Sequence, residues 1–166
     1  MKSKRMIVLM VCVLMAFSMM GCNKAAGQGE QVTEVESSNS FVSYTDLDQA
    51  KEAAGFEGKE PINLPEGYSF ASVQVISEEL IQITYTADDR EIMYRTGKGV
   101  VDISGDYNEY AEHEMFEIAG NQISTGSNDE NIFVATWTEN EMSHAITASE
   151  GLDQDALCGM LGKVEV

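Results

Sequence analysis

The sequence predicts an α+β domain, a meandering antiparallel sheet of about six to seven strands with a short helix before it and a helix after it. Apolar and polar residues alternate with a period of two between Phe70 and Ala148, which is typical of strands with one buried face. Short turns separate these segments, too short for the crossovers that parallel strands need. One segment before the predicted strands and one after them have apolar residues at the spacing typical of a helix.

The first predicted helix starts at Thr45, because a hydroxyl group there can cap it, and ends at Gly55. Both prolines of the chain, Pro61 and Pro65, follow it closely. Proline cannot continue a helix or sit inside a sheet, so this segment is predicted to be a rigid connector.

Strand patterning then continues through most of the chain. Its clearest segment alternates Ile81, Ile83 and Tyr85 with polar neighbours. We expect turns at Asp88-Asp89, Gly120-Asn121 and Glu139-Asn140. The predicted strands are Phe70–Ser77, Leu80–Thr86, Glu91–Thr96, Glu114–Ile118, Gln122–Thr125, Asn131–Thr138 and Met142–Ala148.

The closing helix is predicted to start at Asp153, a residue type that caps helices well. Its apolar stripe consists of Leu157, Met160, Leu161 and Val164. We therefore expect residues 41–166 to form a single α+β domain.

The charge of the chain is strongly acidic and unevenly placed. The chain contains ten Lys and Arg residues and 28 Asp and Glu residues, which gives a formal net charge of −18. No Lys or Arg occurs from Gly99 through Gly162. Nucleic-acid binding requires a basic face, so we expect no nucleic-acid partner and instead favour a cationic protein or peptide.

The start of the chain has the anatomy of a secretory signal. Three cations lie within Met1–Arg5, and the apolar run Met6–Met20 follows. As a helix this run spans roughly 22 Å, at about 1.5 Å per residue, against a hydrocarbon layer of about 30 Å. Residues 1–21 are therefore predicted to be a cleaved signal peptide.

The segment Met19-Met20-Gly21-Cys22 resembles the lipobox of bacterial lipoproteins. That resemblance implies a lipoprotein signal peptide over residues 1–21, a diacylglycerol thioether on Cys22, and an anchor on the extracytoplasmic face of the cell membrane. Residues 22–40 then form a flexible tether with a reach of roughly 25 Å. The alternative is an ordinary secreted protein cut at the same position.

The order of elements also resembles a bacterial family known as domain of unknown function 4367. The likeness covers about residues 41–164 and is carried by Ala50–Phe56, Leu64-Pro65-Glu66-Gly67-Tyr68, the strand ending at Tyr85, Trp137 and Leu152–Leu161. Members occur in secreted lipoproteins and in anti-sigma-type membrane proteins, mostly of Gram-positive bacteria. The resemblance implies an extracytoplasmic domain and supplies no catalytic residues.

A loop around Gly105 has the oxygen ligands that calcium prefers, and its weak candidates are Asp102, Asp106, Asn108 and Glu109. The spacing fails the EF-hand pattern, however, so a solvent-facing turn is favoured over a metal site.

Other chemistry finds little support in the sequence. His113 and Glu114 are adjacent on a predicted strand and point to opposite faces, which disfavours a zinc site. No Gly-x-Ser-x-Gly motif occurs, and Cys158 fits a small buried residue of the closing helix. We therefore expect no catalysis and no cofactor.

Two functional hypotheses remain. The first is a membrane-anchored binding domain without catalytic activity. The second is an extracytoplasmic carrier or sensor of an apolar ligand held between the sheet and a helix. Trp137 and Phe133 share one face of their predicted strand, so the second hypothesis places Trp137, Phe133 and Tyr85 around the ligand.

Overall fold

The computed structural model describes residues 40–162. The predictions for the signal peptide, for Cys22 and nearly all of the tether, and for Val164 lie outside these residues. The strands are β1 Phe41–Tyr44, β2 Ser69–Ile76, β3 Leu80–Ala87, β4 Arg90–Lys98, β5 Glu112–Ile118, β6 Asn121–Asn128, β7 Asn131–Glu139 and β8 Met142–Leu152, and the helices are α1 Leu47–Ala54 and α2 Gln154–Leu161.

All eight strands form one antiparallel sheet in the order β1-β2-β3-β4-β8-β7-β6-β5. The α+β class with an antiparallel sheet and two helices is confirmed, but the prediction of six to seven strands is wrong. The additional strand is β1, which pairs with β2 ahead of α1. Its four residues include Phe41, which is 55% exposed, so β1 lacks the buried alternation that marks a strand in sequence.

The sheet is two four-stranded meanders rather than one. Strands β1 to β4 follow each other in space, as do β5 to β8, and the two meanders meet where β4 pairs with β8. That pairing runs from Ile92 opposite Ala148 to Lys98 opposite Met142. Because β5 lies at the far edge, the chain leaving β4 must cross β8, β7 and β6 to reach it.

Helix α1 begins one residue later than the predicted cap at Thr45. Asp46 is the N-cap, and its carboxylate accepts a hydrogen bond of 2.9 Å from the Gln49 backbone N–H. Gly55 ends the helix as predicted. It adopts the left-handed conformation with φ of 68° and donates its N–H to the Lys51 carbonyl.

Helix α2 is capped as predicted, since the Asp153 carboxylate accepts a hydrogen bond of 2.7 Å from the Ala156 backbone N–H. Its residues Leu157 and Met160 are almost fully buried against the sheet. The Pro-containing connector meets this helix, where the Ile62 N–H donates to the Met160 carbonyl at 2.8 Å.

The hydrophobic core lies on one face of the sheet, here called the core face, and both helices pack on it. The predicted alternation of Ile81, Ile83 and Tyr85 is confirmed, because all three are buried there. The opposite face, here called the outer face, carries outward residues such as Met93, Arg95 and Thr147. The largest fully buried aliphatic side chains are Ile81, Ile83, Ile92, Ile118, Ile123, Ile146, Leu157 and Met160.

Two hairpin turns lie one residue away from their predicted positions. Ile118 pairs with Asn121, so Ala119 and Gly120 form the turn. Glu139 pairs with Met142, so Asn140 and Glu141 form the next turn with φ of 51° and 63°. Two-residue hairpin loops with positive φ at both positions match the right-handed twist of the strands, and strand register decides which pair occupies them.

Strand β7 carries a β-bulge at Phe133, because the adjacent residues Ser127 and Gly126 of β6 pair with Ile132 and Val134, which are two residues apart on β7. A bulge inserts one residue and reverses the alternation of faces beyond it. Ile132 and Trp137 therefore both belong to the core, although their spacing in sequence predicts opposite faces. Phe133 lies instead on the outer face, with Met93 and Thr147.

Candidate ligand-binding site

Residues Gly99–Ala111, here called the crossover segment, run over the outer face between β4 and β5. Near its start, the Val101 N–H donates to Ser143 Oγ and Ser143 Oγ donates to the Gly99 carbonyl, both at 2.9 Å. At its far end, the ring of Tyr110 stacks on Phe133 of β7 at a centroid distance of 5.8 Å. The crossover segment is thus bound to the sheet at both ends.

Arg95 of β4 holds the middle of the crossover segment. Its Nη1 donates to the carbonyls of Ser104 and Ile103, the latter at 3.3 Å. Its Nε donates to Gln82 Oε1 on β3 at 2.9 Å. Its Nη2 meets the Met93 sulfur at 3.9 Å, and thioether sulfur is a weak acceptor. One side of the guanidinium therefore keeps most of its hydrogen-bonding capacity.

No carboxylate forms a salt bridge with Arg95, since the ion pairs within residues 40–162 are Lys51–Glu57 and Lys59–Glu139. Burial lowers the pKa of Arg95, and the nearby charge of Asp102 opposes that effect. Arginine nevertheless stays protonated in proteins, so Arg95 is a half-buried positive charge without a direct ion-pair partner in an acidic domain.

A cavity of about 270 Å³, here called the Arg95 pocket, lies between the crossover segment and the outer face. Its lining combines charged, polar and apolar groups, a composition typical of small-molecule sites. The residues that matter for recognition are Glu91, Met93, Arg95, Asp106, Phe133 and Thr147.

The aromatic wall of this pocket depends on a glycine of β6. A Cβ atom at Gly126 would lie 2.5 Å from Tyr110 Cδ2 and 2.9 Å from a Val134 methyl group. Real Cβ atoms do not approach other atoms so closely, so any larger residue would displace Tyr110 from its position on Phe133. The sequence pattern does not predict this wall, because the bulge that turns Phe133 outward has no sequence signature of its own.

A second cavity, of about 230 Å³, lies on the core face between the sheet and α2 and is here called the core-face cavity. Its lining includes Tyr94, Trp137, Ile123 and Met160, and the ring of Tyr94 meets that of Trp137 edge-on at 5.9 Å. Burial raises the pKa of Tyr94 above its ordinary range, so its hydroxyl stays protonated.

The structure does not bring the three predicted ligand-facing aromatics together. Trp137 lines the core-face cavity, whereas Phe133 lines the Arg95 pocket on the other face of the sheet. Tyr85 is buried in the core and contacts Phe70 edge-on at 6.4 Å. The bulge in β7 is the physical reason for the separation of Phe133 from Trp137.

His144 is buried in the core face, with 2% of its surface exposed. Its ring stacks on Trp137 at 5.1 Å, and its Nδ1 lies 3.3 Å from Thr96 Oγ1, while its Nε2 has no hydrogen-bond partner in the described part of the chain. Burial, helped by the charge of Lys59 and opposed by Glu139, lowers the pKa of His144 to about 4. The imidazole is therefore neutral at physiological pH.

The calcium candidates belong to the crossover segment, where the carboxylates of two of them accept hydrogen bonds from that segment. Asp102 accepts from the Ser104 N–H at 2.8 Å. Asp106 accepts from the Asn108 N–H at 2.9 Å and from the Tyr110 hydroxyl. Such Asx turns shape a loop without metal. Within residues 40–162, no three His, Cys, Asp or Glu side chains converge as a metal site.

Two further residues with reactive side chains, Cys158 and His113, lie on different elements of the fold, α2 and β5. Cys158 on α2 packs against the core, and burial raises the pKa of its thiol, which disfavours the reactive thiolate. His113 is exposed on β5, next to the ring of Tyr110 at 6.4 Å.

Strand β5 is an acidic sheet edge. It pairs with β6 alone, so its other side presents backbone groups without strand partners within residues 40–162. Glu112, Glu114 and Glu117 are exposed along it, and Met115 is 69% exposed. No lysine or arginine between Gly99 and Gly162 offsets this charge.

Fold and sites together define a small α+β domain whose single sheet is covered by helices on one face and crossed by a loop on the other. No helix within residues 40–162 is long and apolar enough to span a bilayer. The chain belongs to the family described as Domain of unknown function (DUF4367), whose model matches residues 58–164. The match begins after α1, so the predicted likeness at Ala50–Phe56 falls outside it. No curated protein and no solved structure matches the chain significantly.

Neutral His144 makes the stability of the domain depend on pH. Its pKa is 6.5 when unfolded and about 4 when folded, so the unfolded state takes up the proton first as pH falls. His144 thus contributes stability above pH 6.5 that is lost progressively toward pH 4. We expect His144→Phe, which keeps an aromatic ring against Trp137, to flatten the fall of the urea unfolding midpoint across this window.

The matched control is His113→Phe, because His113 is the chain's other histidine and is exposed. We expect this variant to keep the wild-type pH dependence. Equal pH dependence in the wild type and His144→Phe would contradict the assignment.

Proposed function

We propose that this chain is a bacterial lipoprotein, anchored through lipid on Cys22 at the extracytoplasmic face of the cell membrane, with a non-catalytic binding domain. We further propose that the domain recognises a cationic, extended peptide segment of a protein at strand β5. The observation that carries the binding proposal is the acidic edge of the sheet at β5, which no strand of residues 40–162 covers.

The anchor is supported by the sequence ahead of the domain. A cationic start, a short apolar run and a Gly-Cys pair precede a polar segment that reaches Ser40. A tether with a reach of roughly 25 Å would lift the domain clear of the lipid headgroups. The acidic domain is repelled by anionic lipid, which leaves its edges open to partners in solution.

The free edge supports recognition of an extended segment, because an added strand can form main-chain hydrogen bonds with β5. Strand β5 has seven residues, enough for a ladder with a short peptide. Its exposed glutamates lie on both faces, so a paired segment would meet carboxylates whichever way its side chains point.

The charge of the edge supports selection of a cationic partner. Charged side chains on an edge strand disfavour pairing between copies of the same protein. With a net charge of −18, a second copy of this chain is repelled, whereas lysine and arginine side chains are attracted. Attraction of cationic side chains and repulsion of a second copy of the chain thus both favour a cationic partner.

Removal of the lipidated sulfur tests the anchor. We expect Cys22→Ser to abolish the labelling of the protein by radioactive palmitate, because no acyl chain can then be attached. Cys158→Ser is the matched control and should keep the label. Mass spectrometry of the wild-type amino terminus should find a lipid-modified Cys22, and an unmodified thiol there would contradict the anchor.

A designed peptide tests the acidic edge. We expect a fluorescent peptide of alternating lysine and valine, capped at both ends, to bind the full-length protein with an affinity that falls as salt rises. Replacing Glu112, Glu114 and Glu117 by glutamine should weaken binding by about tenfold or more, measured by fluorescence anisotropy.

Two controls separate strand pairing from simple charge attraction. The variant with glutamine at Glu66, Glu78 and Glu79 loses three exposed carboxylates elsewhere and should bind like the wild type. The same peptide, N-methylated at every residue, keeps its charge but can donate no backbone hydrogen bond to β5 and should bind weakly. Equal binding of the methylated peptide would contradict recognition at the strand edge.

The core-face cavity supports a second candidate, a carrier or sensor of an apolar ligand held between sheet and helix. Aromatic and aliphatic side chains of β4, β6, β7 and α2 line the cavity, and the Lys59–Glu139 ion pair lies beside it. Its volume of about 230 Å³ limits such a ligand to a small molecule.

Intrinsic fluorescence tests this second candidate, because Trp137 is the chain's single tryptophan and lines the cavity. For a carrier, we expect a short-chain alcohol such as hexanol to shift Trp137 emission saturably, and Met160→Phe, which narrows the cavity, to abolish the shift. Emission that changes only linearly with hexanol, alike in both proteins, would contradict the carrier.

A further inference from the structure

Two polar groups at the Arg95 pocket are left with unused hydrogen-bonding capacity. The Oγ1 atom of Thr147 is buried and has no hydrogen-bond partner within residues 40–162. Among the same residues, the Nη2 atom of Arg95 has only the Met93 sulfur as a partner, at 3.9 Å. Leaving buried polar atoms unsatisfied costs free energy, so such groups in a cavity indicate a place for a polar ligand.

The register of the sheet places these two groups near each other. Arg95 of β4 lies opposite Ala145 of β8, and Thr147 is two residues further along β8 on the same face. Diagonal neighbours of this kind lie about 7–8 Å apart at their Cα atoms, within reach of an arginine side chain. A ligand carboxylate between them can accept from the guanidinium, and from the Thr147 hydroxyl group once that side chain rotates to turn its buried oxygen toward the cavity.

The other end of the pocket carries the opposite charge. Glu91 lies four residues before Arg95 on the outer face of β4, and within residues 40–162 its carboxylate pairs with no lysine or arginine. The two Cα atoms are roughly 13 Å apart, at about 3.3 Å per residue. Asp106 also lines the pocket, but its carboxylate accepts from Asn108 and Tyr110.

Between the two charges the pocket is apolar. Met93 lies midway between Glu91 and Arg95, and the stacked rings of Tyr110 and Phe133 form the wall. A ligand carrying a carboxylate alone would meet the repulsion of Glu91 and Asp106, whereas an ammonium group would be attracted there. The lining therefore favours a molecule with both charges and an apolar middle.

We propose that the Arg95 pocket binds a zwitterionic dipeptide with an apolar side chain. Its carboxylate lies between Arg95 and Thr147, its ammonium group meets Glu91, and its side chain packs on the wall of Phe133 and Tyr110. Two residues of extended chain span about 7 Å, which bridges the side chains of Glu91 and Arg95 where a free amino acid is too short. The volume of about 270 Å³ limits the ligand to this size.

Isothermal titration of the full-length protein with the dipeptide alanyl-phenylalanine tests the proposal. We expect saturable binding with one site per chain. N-acetylation removes the ammonium group and C-amidation removes the carboxylate, so each change should weaken binding by about tenfold or more. Free phenylalanine, which cannot reach both charges, should bind at least as weakly as the capped dipeptides.

Thr147→Val and Glu91→Gln are the informative variants, because Arg95 also holds the crossover segment and its loss would disturb the fold. Valine has the shape of threonine, so Thr147→Val removes an unsatisfied hydroxyl and should leave the urea midpoint unchanged or raised. Both variants should weaken dipeptide binding about tenfold. Thr136→Val alters a threonine on the outer face of β7 that does not line the Arg95 pocket, and this variant should bind normally.

Absence of saturable binding at millimolar dipeptide would overturn the proposal, as would equal binding of the capped dipeptides or normal binding by Thr147→Val. This pocket and the β5 edge are separate surfaces, and the peptide used at the edge is capped at both ends. A negative result with the zwitterionic dipeptide therefore contradicts binding at the Arg95 pocket and leaves recognition of the capped peptide at β5 as a separate result.

Discussion

The pairing of β4 with β8 sets the strand order of the sheet and the path of the chain across it. It joins two four-stranded meanders into one sheet and sends β5 to the far edge. The chain between β4 and β5 must then cross three strands, and it does so over the outer face. The crossover segment, the Arg95 pocket beneath it and the free acidic edge beyond it all follow from this one register.

The two faces of the sheet meet different physical demands. The core face buries aliphatic side chains under two capped helices, and its polar residue His144 stays neutral because burial disfavours a charge. The outer face keeps a positive charge instead, because Arg95 donates to main-chain carbonyls of the crossover segment and to Gln82. The core face thus holds the buried apolar side chains that stabilise the fold. The outer face and the β5 edge hold polar groups that can still form hydrogen bonds or ion pairs with a ligand.

Local patterns predicted most elements well. The alternation of Ile81, Ile83 and Tyr85, the Asp153 cap and the Gly55 end of α1 each depend on residues close in sequence, and each is confirmed. Strand β1 escaped prediction because it is short and largely exposed at an edge. The prediction that Phe133 shares a face of the sheet with Trp137 was wrong, because a bulge reverses the alternation of faces along a strand without changing the residue composition of that strand.

Periodicity, capping and charge act over a few residues. The class of fold, the acidity of the part of the chain that follows Lys98, and the segments that become helices and strands can therefore be derived from the amino-acid sequence alone. Three relations are visible in the folded molecule alone: which strands are neighbours, the diagonal position of Thr147 relative to Arg95, and the location of Phe133 and Trp137 on opposite faces of the sheet. These relations arise between residues distant in the chain, where register and packing rather than local preference select the arrangement.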